Sequence, residues 1–169
     1  MKKAVMIIAH ENFRDEEFLQ PVEVLEKSGI EVKVASSKIG IAKGTLGAKI
    51  KPDMLLSEVD IKDFDAVVFV GGAGSSEYWN DPVAQKLVQA ANNSGKVVAA
   101  ICIAPVTLAK AGVLKGKKAT VWSSEAGQIK SAGADYTGNP VEVDGKIITA
   151  AGPFAATAFG EEIVKALEK

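Results

Sequence analysis

Short apolar runs alternate with stretches of helical periodicity along the whole chain. Residues 4–9, 65–72 and 96–101 are almost continuously apolar, as expected of strands that are covered on both faces. Between them, residues 18–29 and 81–95 carry apolar side chains at helical spacing. Alternation at this rhythm predicts βαβ units. The pattern therefore indicates an α/β fold in which a mostly parallel sheet lies between two layers of helices.

Single residues add detail to these elements. Pro21 predicts that the first helix either begins close to it or is kinked there. Asp81 followed by Pro82 is typical of an N-cap and first position of a helix. Residues 141–150 predict a C-terminal hairpin around a type I′ turn at Asp144-Gly145. Residues 38–60 are the least regular, with one short strand expected within 48–53.

Composition narrows the classes of function. A length of 169 residues fits one domain over residues 1–169. The net charge of −1 argues against nucleic acid or an anionic membrane as partner. No apolar stretch approaches the roughly 20 residues of a membrane span, and the N-terminal run is too short for a secretory signal. We therefore expect a cytoplasmic protein.

The chain has one cysteine, Cys102, which excludes an internal disulfide and any multi-cysteine metal site. We expect no metal. The acidic loop at residues 10–17 lacks the Ser, Thr and Gly residues that cradle a flavin phosphate, so we expect no such cofactor.

Cys102 follows the buried run of residues 96–101, immediately before a predicted helix. A sharp strand-to-helix turn of this kind lifts its central side chain away from the sheet in a strained backbone conformation. Ala100 and Ala104 supply the small neighbours that such a turn needs, and Pro105 suits the first helical turn. A thiol at a helix N-terminus is stabilised as thiolate. A buried structural cysteine at a strand end is the alternative that this stretch leaves open.

A diglycine, Gly71-Gly72, ends another predicted strand at the same edge of the sheet. Glycines there expose backbone N–H groups and allow close approach of a substrate. Together with the N–H of Ile103, they are candidates for an oxyanion hole opposite the thiol. A loop that only needs positive φ is the simpler alternative.

Three segments together resemble the ThiJ/PfpI superfamily, which contains the parkinsonism-associated deglycase and the PfpI intracellular peptidases. They are "FRDEEFLQPVEVLEKSGIEVKVAS", "VGGAG" followed one βα unit later by "AAICIAPVTLAKAGVLKGKKAT", and "VEVDGKIITAAGPFAATAFGEEIVKAL". The resemblance covers essentially the whole chain. It implies a flavodoxin-like α/β/α sandwich, and a homodimer or higher homo-oligomer.

The resemblance also implies roles for two side chains. Cys102 would be the nucleophile, and Glu17 the carboxylic acid that reaches the thiol. A buried carboxyl beside a thiolate can stay protonated and donate a hydrogen bond to sulfur. From the residues alone, a solvated glutamate of a first helical turn is the favoured interpretation of Glu17, and Asp15 and Glu16 are not distinguished from it.

The chain departs from the family pattern at its histidine positions. The peptidase branch has a histidine directly after the cysteine, where this chain has Ile103. The deglycase-like branch has one on the next strand, near the place of Trp122. The only histidine is His10, after the first strand. We include His10 and Trp122, with the Gly152-Pro153 turn, as candidate pocket residues.

These features favour a cysteine-dependent enzyme acting on small carbonyl compounds, of the glyoxalase or deglycase type. Addition of the thiol to an aldehyde does not require a histidine. Two alternatives remain: an intracellular cysteine peptidase or amidase, against which Ile103 argues, and a non-enzymatic redox-sensing or stress-protective protein whose Cys102 is oxidised.

Overall fold

A computed structural model describes all residues, 1–169. The strands are β1 Lys3–Ile8, β2 Glu11–Phe13, β3 Glu31–Ser36, β4 Ala42–Gly44, β5 Lys49–Ile50, β6 Met54–Leu55, β7 Ala66–Phe69, β8 Val97–Ile101, β9 Lys118–Ala119, β10 Asp135–Tyr136, β11 Val141–Asp144 and β12 Ile147–Ala150. The helices are α1 Asp15–Lys27, α2 Pro82–Asn93, α3 Pro105–Lys110, α4 Ala126–Ser131 and α5 Ala156–Glu168. No helix is long and apolar enough to cross a membrane.

The main sheet has seven strands in the order β11-β12-β8-β7-β1-β3-β6. Every pairing in it is parallel except β11 with β12, which form the C-terminal hairpin. The predicted mixed α/β fold with a mostly parallel sheet is therefore confirmed. The carboxyl ends of β1, β7 and β8 meet at one edge of this sheet.

Strand alternation divides the interior into two cores, one on each face. In β1, Met6 and Ile8 pack with helices α1 and α5, whereas Val5 and Ile7 pack with α2 and α3. Burial on both faces explains why β1 reads as a continuous apolar run instead of alternating with polar residues.

Helix α1 begins well before Pro21, so of the two possibilities that the sequence left open, a helix that starts beside Pro21 is wrong. The helix starts at Asp15, so Pro21 lies inside it and removes one internal hydrogen bond. Gly160 of α5 packs closely against this point, since a Cβ there would stand 3.0 Å from the Cα of Pro21. The early start is important because it places Glu17 on the first turn of a rigid element.

Two other local predictions were tested directly. The side chain of Asp81 accepts from the N–H of Val83, which confirms the predicted cap of α2. The predicted type of the hairpin turn was wrong. Asp144 pairs with Ile147, so the central residues of the turn are Gly145 and Lys146. Only Gly145 has positive φ, at 62°, whereas a type I′ turn needs two such residues.

Residues 38–60 contain more structure than the one strand expected there. Strands β4 and β5 join β2 in a small separate sheet beside the start of α1, and β6 joins the edge of the main sheet. These strands have two or three residues each, which is too short to leave a periodic signal in the sequence.

Candidate active site

Cys102 occupies a strained turn between β8 and α3. Its φ is 65°, and Asn12 is the only other non-glycine residue with positive φ. Its N–H donates to the carbonyl of Ala150 at 2.9 Å, and its carbonyl accepts from the N–H of Trp122 at 2.8 Å. These bonds hold the backbone in a conformation that a non-glycine residue rarely adopts.

The residues on both sides of the turn are small and buried, as the sequence predicted. Ala100 and Ala104 are buried, and Pro105 is the first residue of α3. The carbonyl of Ile103 accepts from the indole Nε1 of Trp79 at 3.1 Å. Trp79 therefore supports the turn from outside.

Glu17 lies on the first turn of α1 and is completely buried. Neither carboxyl oxygen has a hydrogen-bond partner of ordinary geometry, although the Cys102 thiol and the Gly71 backbone lie close enough to affect its ionisation. Burial is the largest effect and raises the pKa of Glu17 to about 8. This carboxyl is therefore mostly protonated at neutral pH.

Gly71 is the residue that brings the acid and the thiol together. A Cβ on Gly71 would collide with Oε1 of Glu17, and would lie 2.5 Å from the Cβ of Cys102 and 2.6 Å from the carbonyl oxygen of Ile101. Its carbonyl accepts from the N–H of Arg14 at 2.9 Å, which ties β7 to the start of α1. Close approach, and not positive φ, is the reason for glycine at this position.

The three predicted backbone donors divide into two groups. The amides of Gly72 and Ile103 face the sulfur of Cys102 and lower its pKa, whereas the amide of Gly71 faces Glu17. Two donors, not three, are thus directed at the sulfur. Gly72 has φ 100° and so also meets the simpler expectation of a loop that needs positive φ.

The expectation that the helix N-terminus favours the thiolate is opposed by burial. Burial raises the pKa of the Cys102 thiol well above its ordinary value, and the negative charge of an ionised Glu17 raises it further. Helix α3 is only six residues long, so its dipole is small. The thiol of Cys102 and the carboxyl of Glu17 interact, so loss of a proton by one group makes loss of a proton by the other less favourable.

The remaining predicted pocket residues lie in different environments. Trp122 is half-exposed, and its ring contacts the position of Gly152. Pro153 begins a short 3₁₀ turn after Gly152. His10 donates its backbone N–H to the Glu77 carboxylate at 3.2 Å. No hydrogen bond links the His10 ring to Cys102 or Glu17, and its buried Nδ1 has no partner.

Sequence reasoning missed a second buried acid, Asp15. Its two carboxylate oxygens accept from the N–H groups of Leu46 and Ala48, both at 2.8 Å. Gly44 leaves the space for it, since a Cβ there would stand 2.5 to 2.6 Å from the carboxylate atoms. We call this contact of Asp15 with residues 44–48 the Asp15 clamp. No sequence signal distinguished Asp15 from its acidic neighbours.

The larger surface cavities lie elsewhere. One of about 370 Å³ is lined by residues of α1 and α5, and one of about 350 Å³ by the hairpin and the end of α5. Neither is lined by Cys102 or Glu17. The structure has no cluster of three His, Cys, Asp or Glu side chains suited to a metal ion.

A model of the DJ-1/PfpI family matches residues 2–166. The chain belongs to this family. Within it, an uncharacterized protein of Methanocaldococcus jannaschii is 46% identical over 170 residues, which cover 99% of this chain and 83% of that protein. The deglycase PfpI of Pyrococcus furiosus is 32% identical, with 97% and 99% covered. A glutathione-independent glyoxalase of Caenorhabditis elegans is 30% identical, with 99% and 89% covered.

Solved structures of the DJ-1/PfpI family agree with the fold. The crystal structure of a ThiJ/PfpI domain protein from Brachyspira murdochii has a TM-score of 0.96 and 35% identity. The match covers 98% of this chain and 96% of that one. The resemblance noted in the sequence is thereby confirmed over nearly the full length.

Proposed function

We propose that this protein is a cysteine-dependent enzyme that converts small 2-oxoaldehydes or their adducts, with Cys102 as nucleophile and Glu17 as the proton-carrying acid. The observation that carries the proposal is the buried Glu17 carboxyl, which has no hydrogen-bond partner and lies beside the thiol across Gly71. Leaving such a group unpaired is unfavourable, and unpaired titratable groups of this kind concentrate where proton transfer is required. The names of the relatives, deglycase and glyoxalase, point to the same class.

The first step begins with a Cys102 thiolate and a protonated Glu17, which together hold one proton. The sulfur adds to the aldehyde carbon, a C–S bond forms, and the electron pair of the C=O bond moves to oxygen. Glu17 donates its proton to that oxygen, while the N–H groups of Gly72 and Ile103 are placed to stabilise the developing negative charge. The product is a hemithioacetal.

The second step moves hydrogen within the substrate. The Glu17 carboxylate takes the proton from the former aldehyde carbon; the C–H electron pair forms a C=C bond, and the electron pair of the ketone C=O bond moves to its oxygen. Glu17 then returns the proton to the neighbouring carbon, and the proton of the hemithioacetal hydroxyl moves to the former ketone oxygen. The former aldehyde carbon becomes a thioester and the ketone becomes an alcohol, so oxidation and reduction balance internally. Water then hydrolyses the thioester, which releases a 2-hydroxy acid and restores the thiol. His10 is not needed in any of these steps.

A homo-oligomer and a cytoplasmic location remain part of this proposal. A peptidase is a weaker candidate, because Ile103 supplies no base next to the thiol and its carbonyl is bound to Trp79. A redox-sensing role would use the same half-exposed thiol without turnover.

The test combines alkylation of Cys102 across pH with loss of methylglyoxal. Wild-type alkylation is expected to rise only above pH 8, because burial and the ionised Glu17 both keep the thiol protonated. In Glu17→Gln the rise is expected at lower pH than in the wild type, because the negative charge beside the sulfur is gone. Methylglyoxal loss should disappear in Cys102→Ser. Turnover that survives in Cys102→Ser would exclude the proposed nucleophile, and an inert thiol with no turnover would favour the buried structural cysteine.

A further inference from the structure

Two exposed aromatic rings, which the proposed chemistry does not use, stand next to the cysteine turn. Trp122 is 42% exposed and Phe154 is 72% exposed. Both rings reach the same glycine, since a Cβ on Gly152 would stand 2.9 Å from the Trp122 ring and 3.1 Å from the Phe154 ring. The rings and this glycine form one apolar surface, which we call the aromatic wall.

The aromatic wall is attached directly to the nucleophile. The N–H of Trp122 donates to the carbonyl of Cys102, and the N–H of Cys102 donates to the carbonyl of Ala150, two residues before Gly152. Both segments that carry the wall are therefore one backbone hydrogen bond away from the reacting residue.

Large apolar groups left exposed beside a polar reactive site are typical of a binding surface. The backbone donors and the Glu17 carboxyl serve the oxygens of the substrate, so the wall is free for its carbon substituent. The absence of a side chain at Gly152 lets both rings pack against its backbone. A planar aryl group can cover the exposed faces of these rings, whereas a methyl group covers only a small part of that surface.

We propose that Trp122 and Phe154 select the substrate, and that 2-oxoaldehydes with an aryl substituent react in preference to methylglyoxal. This inference rests on the proposed function and specifies its substrate. Trp122 and Phe154 are specificity-determining residues and do not take part in the proton transfers.

The experiment compares phenylglyoxal with methylglyoxal, and it follows formation of mandelate and lactate. The wild type is expected to favour phenylglyoxal in kcat/KM by about tenfold or more, the size of effect that apolar contacts give in specificity. Phe154→Ala and Trp122→Ala should reduce that ratio through phenylglyoxal alone, and Trp122→Phe should retain most of it. Ile39→Ala removes an apolar side chain that is 58% exposed in the bend after β3, and should leave the ratio unchanged.

Binding measurements on an inactive variant test the aromatic wall independently of the proposed enzymatic function. The Cys102→Ser protein should bind mandelate more tightly than lactate, and Phe154→Ala in that background should remove the difference. Equal turnover of both aldehydes by the wild type, or equal binding of both acids, overturns the aromatic wall while leaving the proposed function in place. If neither aldehyde is converted, the proposed function fails, and acid binding alone then decides the wall. Sedimentation of Phe154→Ala completes the test: a lower oligomeric state would assign the rings to contact with a second copy and overturn the proposal.

Discussion

The first turn of α1 carries two buried acids with opposite surroundings. Asp15 is bound by two backbone N–H groups of residues 44–48, and Glu17, two residues later, has no hydrogen-bond partner for either oxygen. Each acid lies against a glycine, Gly44 for Asp15 and Gly71 for Glu17. The same chemical group thus joins two segments in one case and is left without a partner in the other. Burial does not separate the two acids, but the missing partners do, and under the proposed function they leave Glu17 free to carry a proton.

The largest effect should come from changing the free acid. Glu17→Gln keeps the shape of the side chain but cannot transfer a proton, so kcat for 2-oxoaldehyde turnover should fall by about 10²- to 10⁴-fold. Asp15→Asn is the matched control and should retain kcat per folded molecule. Steady-state kinetics on both variants, with folding checked by circular dichroism, measures the difference. Equal losses in the two variants would mean that Glu17 acts only through structure.

Replacing the glycine beside each acid with alanine tests the same comparison. Gly71→Ala places a Cβ against Glu17 and Cys102 and should abolish turnover. Gly44→Ala places a Cβ against the Asp15 carboxylate, so it should break the Asp15 clamp and lower the melting temperature while the folded fraction stays active. Gly71→Ala should therefore affect turnover most, whereas Gly44→Ala should affect the melting temperature most. Full activity in Gly71→Ala would contradict the described packing.

The unpaired acid should also reduce stability as pH rises. The pKa of Glu17 is about 8 in the folded protein and near 4.5 in an unfolded chain, so the folded state binds more protons between these values. Its stabilising contribution is present below pH 4.5 and is lost as pH rises to 8. Glu17→Gln should therefore be more stable than wild type at pH 8 by roughly 4 kcal/mol, and nearly equal at pH 4.5. Urea unfolding at both values measures this, and a variant that is less stable at pH 8 would contradict it.

The Asp15 clamp should have a moderate effect on stability. Asp15→Ala removes two charge-assisted hydrogen bonds, but Leu46 is exposed and Ala48 is only partly buried, so water can replace the lost acceptor. We expect a loss of about 2 kcal/mol, measured by urea unfolding at pH 7. No loss of stability would show that residues 44–48 are held by other contacts.

The smallest effect belongs to the third acid of the turn. Glu16 forms a two-pronged ion pair with Arg14, at 2.9 and 3.0 Å. The pair is largely solvated, so Glu16→Gln should change the free energy of unfolding by less than about 1 kcal/mol. Its effect on kcat should be small, and the change in stability should shrink further in high salt.

The sequence by itself determined the layered α/β fold and the position of the cysteine. Continuous apolar runs can be buried only between two layers, and small residues around Cys102 are required wherever a strand turns sharply into a helix. The family resemblance then selected Glu17 from three adjacent acids. Periodicity could not make this choice, because Asp15, Glu16 and Glu17 are all typical of a first helical turn.

Only the tertiary structure decided what surrounds each of these groups. The Asp15 clamp joins residues more than 30 positions apart, and the approach of Glu17 to Cys102 depends on Gly71 from a third segment. The raised pKa of Glu17 follows from burial by all of these elements together, and the predicted thiolate-favouring helix end was outweighed by the same burial. Local patterns specify backbone conformation, whereas ionisation depends on the solvent and charges that the whole fold excludes or brings close.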